Sequence, residues 1–189
     1  MRVVTLHEKE LAEKCRELAV MTKECRPDII VGILTGGGEV GRLMAPYFPD
    51  ATYIEVKLQR PGTQKKKALR KLLRLLPTFV TDKLRIYEAK KLSKLPAKVY
   101  NLHFDLEKRN IISSPKNHNI LIIDDAVDSG STLQSVYNSI RQAAPQANIK
   151  SAVLTVTTPS PSFQPDYALW RDGTLLRCPW SFDYNKNRK

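Results

Sequence analysis

Asp124, Asp125 and Asp128, followed at once by Ser129-Gly130-Ser131-Thr132, put three acids and four small or hydroxylated residues into one short stretch. Four apolar residues, Ile120-Leu121-Ile122-Ile123, lead into it, so the acids stand at the carboxyl end of a predicted strand, where ligands bind in open α/β sheets. A loop of small residues then delivers a helix. Its N–H groups and the helix N-terminus make a cradle for a dianionic phosphate, with the Ser129, Ser131 and Thr132 hydroxyls as further donors. Acids beside such a cradle repel the ligand unless they serve another part of it. A ribose diol, or a hydrated magnesium held by that diol, resolves the conflict. The plainer reading of the same residues is a solvated acidic turn, with Asp128 or Ser131 capping a helix.

The elements that position this stretch alternate. Thr5-x-x-Glu8 has the form of a capping box ahead of Leu11, Cys15, Leu18 and Ala19, which predicts a first helix to about Lys23. Asp28–Leu34 reads as a buried strand, Gly36-Gly37-Gly38 as a turn, Arg42–Tyr47 as part of a helix, and Ala51–Lys57 as a strand. The pattern resumes with a strand at Asn119–Asp124, a helix at Ser131–Ala144 and a strand at Asn148–Thr157. Short strands are expected at Tyr167–Trp170 and Thr174–Cys178. Strands alternating with helices imply an α/β domain with a largely parallel sheet covered on both faces.

The charge is concentrated. Of the net +12, residues Glu55 to Lys98 carry 14 Lys/Arg against 3 Asp/Glu, and the rest of the chain is nearly neutral. Within that segment Leu69, Leu72, Leu73 and Leu76 fall at helical spacing, with Lys65, Lys66, Lys67, Arg70, Lys71 and Arg74 around them. Pro77 stops this basic amphipathic helix, and a weaker helical stretch covers Val80–Leu92. Three readings stay open: a solvated or oligomer-forming face, a surface for nucleic acid or another polyanion, or a lid with Lys57 and Arg60 at its base. Cys15, Cys25 and Cys178 are odd in number and unlike a metal set, which fits a reduced, cytoplasmic protein. No apolar run is long enough to cross a membrane, and the N-terminus turns charged too early for a secretory h-region.

The string from Ile120 to Leu133 resembles the PRPP-binding signature of the type I phosphoribosyltransferases: apolar strand, two acids, two small apolar residues, then Asp-Ser-Gly-Ser-Thr. The tail, with Pro165-Asp166-Tyr167 and Cys178-Pro179-Trp180, is similar to the base-covering hood of bacterial xanthine–guanine and hypoxanthine enzymes. The resemblance implies a Rossmann-like central parallel sheet with flanking helices in one domain, 1–189, with a basic helical insertion at about 58–98 and a hood at about 159–189. It implies Mg²⁺-dependent transfer of 5-phosphoribosyl from PRPP to a nucleobase or similar nitrogen nucleophile, in a homodimer. Carried over, Asp124 and Asp125 handle the ribose hydroxyls and the metal, and Asp128–Thr132 hold the 5′-phosphate. Asp128 also acts as general acid/base, and Asp183 is a further candidate metal contact. Thr35-Gly36-Gly37-Gly38 stand at the pyrophosphate loop, and Thr158, Leu175, Leu176 and Trp180 at the base.

Three of these positions depart from the purine-using members. Thr35 replaces a loop cation, Thr158 replaces a lysine that reads the base, and Leu175 or Leu176 replaces a stacking aromatic. The acceptor base therefore stays open. So does the alternative of a catalytically altered PRPP- or nucleotide-binding protein whose basic insertion binds nucleic acid or a partner. A rival pattern, Gly36-x-Gly38-x-x-Gly41 with Glu55 at the end of the next strand, has the form of a dinucleotide fingerprint.

Overall fold

The apolar runs at 29–34 and 120–123 lie side by side at the centre of one parallel sheet. The computed structural model describes residues 1–57, 76–92 and 118–186. Along the chain these form β1 (Val3–Thr5), α1 (Glu8–Met21), β2 (Ile29–Leu34), α2 (Gly36–Met44), β3 (Thr52–Lys57), α3 (Thr78–Leu92), β4 (Asn119–Val127), α4 (Ser131–Ala143), β5 (Asn148–Val156), β6 (Tyr167–Trp170) and β7 (Leu175–Arg177). The main sheet runs β3-β2-β4-β5-β6 with every pairing parallel. Successive strand residues point to opposite faces. Ile29, Val31, Ile33, Ile120 and Ile122 therefore pack with Leu133, Val136 and Ile140 of α4, while Ile30, Leu121 and Ile123 meet α1 and α2 through Leu11, Cys15, Leu18, Val40 and Met44. Burial on both faces explains why these runs are continuously apolar.

The order of strands places the site. From β2 the chain moves outward through α2 to β3; from β4 it moves the other way through α4 to β5. The two helices cover opposite faces, so their diverging connections open a crevice beyond the carboxyl ends of β2 and β4.

Several elements differ from the sequence expectation. Thr5 belongs to β1 and accepts a hydrogen bond from Arg177 Nη1 at 3.0 Å, so it does not cap α1. That helix starts after His7 without a side-chain cap, and Glu8 and Glu10 supply the acids its first turn favours. The glycines at 36–38 form the first turn of α2 and no separate turn. Tyr167–Trp170 is the edge strand of the main sheet, not part of the hood, because it pairs with Ala152–Thr155. The hood is instead anchored by a two-stranded parallel sheet of β1 with β7, a pairing across 172 positions of sequence. The cation cluster Lys65, Lys66, Lys67, Arg70, Lys71 and Arg74, with Arg60, lies outside the described residues.

An ionic cluster ties α3 to the hood. Arg177, only 4% exposed, donates to Asp183 Oδ2 (2.9 Å), Thr81 Oγ1 (3.0 Å) and Asp82, and Arg85 donates to both oxygens of Asp183 and to the Leu176 carbonyl (2.8 Å). Burial alone pushes the Asp183 carboxyl up, but Arg85 and Arg177 outweigh it and hold the group at about 2. A carboxyl depressed on folding adds stability that is present above its unfolded value of about 4 and lost as pH falls toward 2. Asp183→Asn is accordingly expected to cost about 3–5 kcal/mol near pH 7, because it removes the carboxylate that two guanidinium groups share. Urea titrations at pH 7, 5 and 3 check this, with the gap between the two proteins narrowing only below about pH 4.

Candidate active site

The crevice is a cleft of about 640 Å³ to which five parts of the chain contribute. Thr35 comes from the exit of β2, Asp124 and Asp125 from the end of β4, and Asp128, Ser129, Gly130 and Thr132 from the loop and first turn that follow. Thr157 comes from the exit of β5. The hood adds Leu175, Leu176, Trp180, Ser181 and Phe182, and α3 adds Arg85, Glu88 and Ala89.

The two acids are held differently. Asp124 is 5% exposed and accepts the Asp125 N–H at 2.9 Å. Asp125 Oδ2 accepts the indole N–H of Trp180 at 2.8 Å. Burial pushes the Asp125 carboxyl above its ordinary range and the nearby Asp128 charge adds to this, against the opposing hydrogen bond from Trp180. The backbone of α2 presses on the same group: a Cβ at Gly36 would lie 1.9 Å from Asp125 Oδ2, and one at Gly37 would lie 2.5 Å from the Ile123 carbonyl. Only glycine lets a helix start this close to the end of β4. The Leu34–Thr35 peptide bond just before it is cis.

The loop after β4 is shaped as a cradle. Gly130 takes φ = +85°, and a Cβ there would stand 2.5 Å from the Phe163 nitrogen, so glycine is required on both counts. Ser129 Oγ and Ser131 Oγ are 2.8 Å apart, and the Ser129 carbonyl accepts the N–H and hydroxyl of Ser162, each at 2.8 Å. Immediately beyond, α4 opens at Ser131 and points the positive end of its dipole at the loop. Asp128 is fixed through Thr157 Oγ1, which donates to Asp128 Oδ1, and Thr158 Oγ1, which donates to its carbonyl at 2.9 Å.

Most of the residues expected at the site meet in this cleft, and some do not. Asp124, Asp125, Asp128, Ser129, Gly130, Thr132, Thr35, Leu175, Leu176 and Trp180 all line it. Gly36, Gly37 and Gly38 are buried behind Thr35 as helix backbone, and Ser131 is buried at the start of α4. Thr158 is turned away to the Asp128 carbonyl, and Thr157 takes its expected place on the wall. Asp183 does not serve as a metal contact here: both its oxygens are engaged by Arg85 and Arg177. The dinucleotide fingerprint also fails, because Glu55 accepts from Arg42 Nε (2.7 Å) and Tyr53 Oη (3.1 Å), and Gly41 packs on the Tyr53 ring.

Sequence reasoning missed Arg85, Glu88 and Thr157, and it missed the indole's bond to Asp125. For α3 a signal existed: Thr81, Arg85 and Glu88 are spaced i, i+4, i+7 on one helix face. Among the described residues no three His, Cys, Asp or Glu side chains gather as a metal-binding group. Cys15, Cys25 and Cys178 are free thiols, with burial pushing that of Cys15 up to about 12. No helix among the described residues is long and apolar enough to cross a membrane.

Comparison with known proteins agrees with this fold. No curated protein matches the sequence. Among solved structures, a purine phosphoribosyltransferase from Pyrococcus horikoshii Ot3 superposes with a TM-score of 0.61 at 22% identity, covering 95% of each chain. A Helicobacter pylori xanthine-guanine-hypoxanthine phosphoribosyltransferase gives 0.58 at 14% identity over 95% of this chain and 92% of that one. A hypothetical protein from Neisseria gonorrhoeae with bound ppGpp gives 0.59 at 11%, over 95% and 89%. At these identities the likeness is one of fold. The family model of the phosphoribosyl transferase domain matches residues 5–174, most of the chain, and the chain therefore belongs to the phosphoribosyl transferase domain family.

Proposed function

We propose that the protein transfers a 5-phosphoribosyl group from PRPP to a nitrogen nucleophile and releases pyrophosphate. The observation that carries this reading is the placement of two adjacent acids, one buried and one half-buried, and an anion cradle on one cleft, a single turn of chain apart. In that reading the N–H groups and hydroxyls of 129–132 take the 5′-phosphate, and Asp124 and Asp125 accept hydrogen bonds from the ribose diol. Thr35 and the start of α2 face the leaving pyrophosphate, and Asp128 takes the nucleophile's proton. Leu175, Leu176 and Trp180 flank the acceptor.

Magnesium fits this donor set in one way. Two carboxylates, one of them already bonded to an indole, make a poor cage by themselves, but Mg²⁺ characteristically combines one or two carboxylates with substrate oxygens and water. Asp124 and Asp125 would hold such an ion as it arrives with PRPP. Bound there, it neutralises charge on the departing pyrophosphate. The protein's own contribution is separate: in this reading the two acids lie where positive character builds on the ribose, fixed in place before the substrate arrives.

The basic segment from Lys65 to Arg74 supports a further, sequence-based part of the proposal, a surface for nucleic acid or another polyanion. Assembly as a homodimer and a cytoplasmic location are proposals of the same kind.

Two outcomes test the catalytic reading. Calorimetric titration with PRPP and Mg²⁺ should show saturable binding that Asp124→Asn/Asp125→Asn abolishes; binding unchanged in the double variant would remove both acids from the site. Asp128→Asn should retain PRPP affinity within a few-fold yet lose about 10²–10⁴ in turnover, as expected for a proton-transfer group. Rates of pyrophosphate release measure this second effect, and an active variant would exclude Asp128 as the base.

A further inference from the structure

The threonines at the exit of β5 have already committed their hydroxyl protons. Thr157 Oγ1 is within hydrogen-bond reach of Asp128 Oδ1 and lies 3.3 Å from the Val127 carbonyl. An ionised carboxylate and a carbonyl have no hydrogen to give, so the single proton of Thr157 has to serve them. Thr158 Oγ1 donates to the Asp128 carbonyl at 2.9 Å, the Thr157 N–H donates to the Val127 carbonyl at 2.9 Å, and Pro159 has no N–H. Thr157, itself buried, lines the cleft beside Asp128, and with its proton committed its hydroxyl can act there only as an acceptor. This part of the wall is thus a pair of adjacent hydrogen-bond acceptors. On the hood side, Arg85 spends N–H groups on Asp183 and the Leu176 carbonyl, and Ser181 Oγ accepts the Cys178 N–H at 3.0 Å.

Resting on the phosphoribosyl-transfer reading above, we infer that the Asp128–Thr157 pair selects an acceptor with two neighbouring N–H donors, an amino group beside a ring N–H, over one with an oxo group in that place. In the transfer step the nucleophilic nitrogen's lone pair forms the new bond to the anomeric carbon. The carbon–oxygen bond to pyrophosphate breaks, and pyrophosphate leaves with that electron pair. The ring proton lost by the acceptor passes to Asp128, and the amino group keeps its hydrogen bond to Thr157 Oγ1. An oxo group would set acceptor against acceptor. Turning the Thr157 hydroxyl to meet it takes the proton away from Asp128, so the difference is one hydrogen bond involving a charged group, about tenfold or more in affinity. Thr157 acts as a positioning residue, through Asp128, and as a reader of the acceptor's edge.

Adenine and hypoxanthine, with their nucleotides AMP and IMP, share the purine skeleton and differ at this group and in the proton on the ring nitrogen beside it. The nucleotides have already given up the ring proton that would face Asp128, so they compare the amino and oxo edges without it. Calorimetric titration of the full chain should give AMP about tenfold tighter binding than IMP, and pyrophosphate release with PRPP and Mg²⁺ should favour adenine over hypoxanthine to a similar degree. Thr157→Ser should keep that preference. Thr157→Val should bring the AMP/IMP ratio close to one and raise the KM for adenine, with affinity for ribose 5-phosphate unchanged. If PRPP itself does not bind, the phosphoribosyl reading falls and this inference with it; if PRPP binds and neither nucleotide does, this inference alone is overturned. If both bind and IMP is equal or tighter, or if Thr157→Val leaves the ratio intact, the inference is overturned while the phosphoribose site stands. Should the valine variant not fold, the ratio in the unaltered chain decides.

Discussion

The Asp125 carboxyl, at the cleft, is wedged between the start of α2 and the hood, and the surrounding structure follows from how that group is held. An unpartnered buried carboxylate is costly enough that the group stays protonated or the fold rearranges. Here Trp180 reaches across from the hood to supply one hydrogen bond, and Gly36 brings the start of α2 into contact from the other side. The hood thus supplies the donor, and the glycine start of α2 leaves the carboxyl its space. Either a side chain at residue 36 or a shorter residue at 180 would leave the same carboxyl displaced or without its donor.

A second set of charges transmits this arrangement to the far wall. Arg177 and Arg85 share Asp183, and Arg177 also reaches Asp82 and Thr81 at the start of α3 and Thr5 of β1. Buried ion pairs add little net stability over a well-packed apolar cluster, but they are exacting in geometry. Through them the N-terminal strand, the hood and α3 take one relative position, which is also the position that brings Arg85 and Glu88 to the cleft. The N-terminus thus belongs to the site's framework, although it is remote from the chemistry.

The geometry of the stretch proposed to hold the phosphate was legible from sequence because it is local. Strand, acids, loop and helix follow one another within residues 120–133, and each step has a short-range cause: an apolar run, a glycine with positive φ, a helix N-terminus. The parallel sheet was legible for a similar reason, since runs such as Ile29–Leu34 and Ile120–Ile123 are apolar at every position. What escaped was non-local. β1 and β7 are each three residues long, and neither signals its partner. The capping-box pattern at Thr5 pointed to the wrong start because tertiary pairing with the hood claimed that threonine first. Gly36–Gly38 looked like a turn because glycine disfavours helix interiors; close approach to Asp124 and Asp125 overrode that preference.

The same contrast separates what the two ends of the cleft can recognise. A phosphate is spherical and doubly charged, so a loop of N–H groups at a helix N-terminus is a sufficient receptor, and a short motif encodes all of it. An acceptor base is read by the direction of individual hydrogen bonds. At this end those directions come from β5, the loop after β4, the hood and α3 together, and the state of one hydroxyl proton on Thr157 depends on Asp128 and Val127. No single position of the chain carries that information. Under the proposed reading, exchanging Thr157 for another residue type would alter both the partner of Asp128 and the face shown to the acceptor, and so would couple proton transfer to acceptor choice.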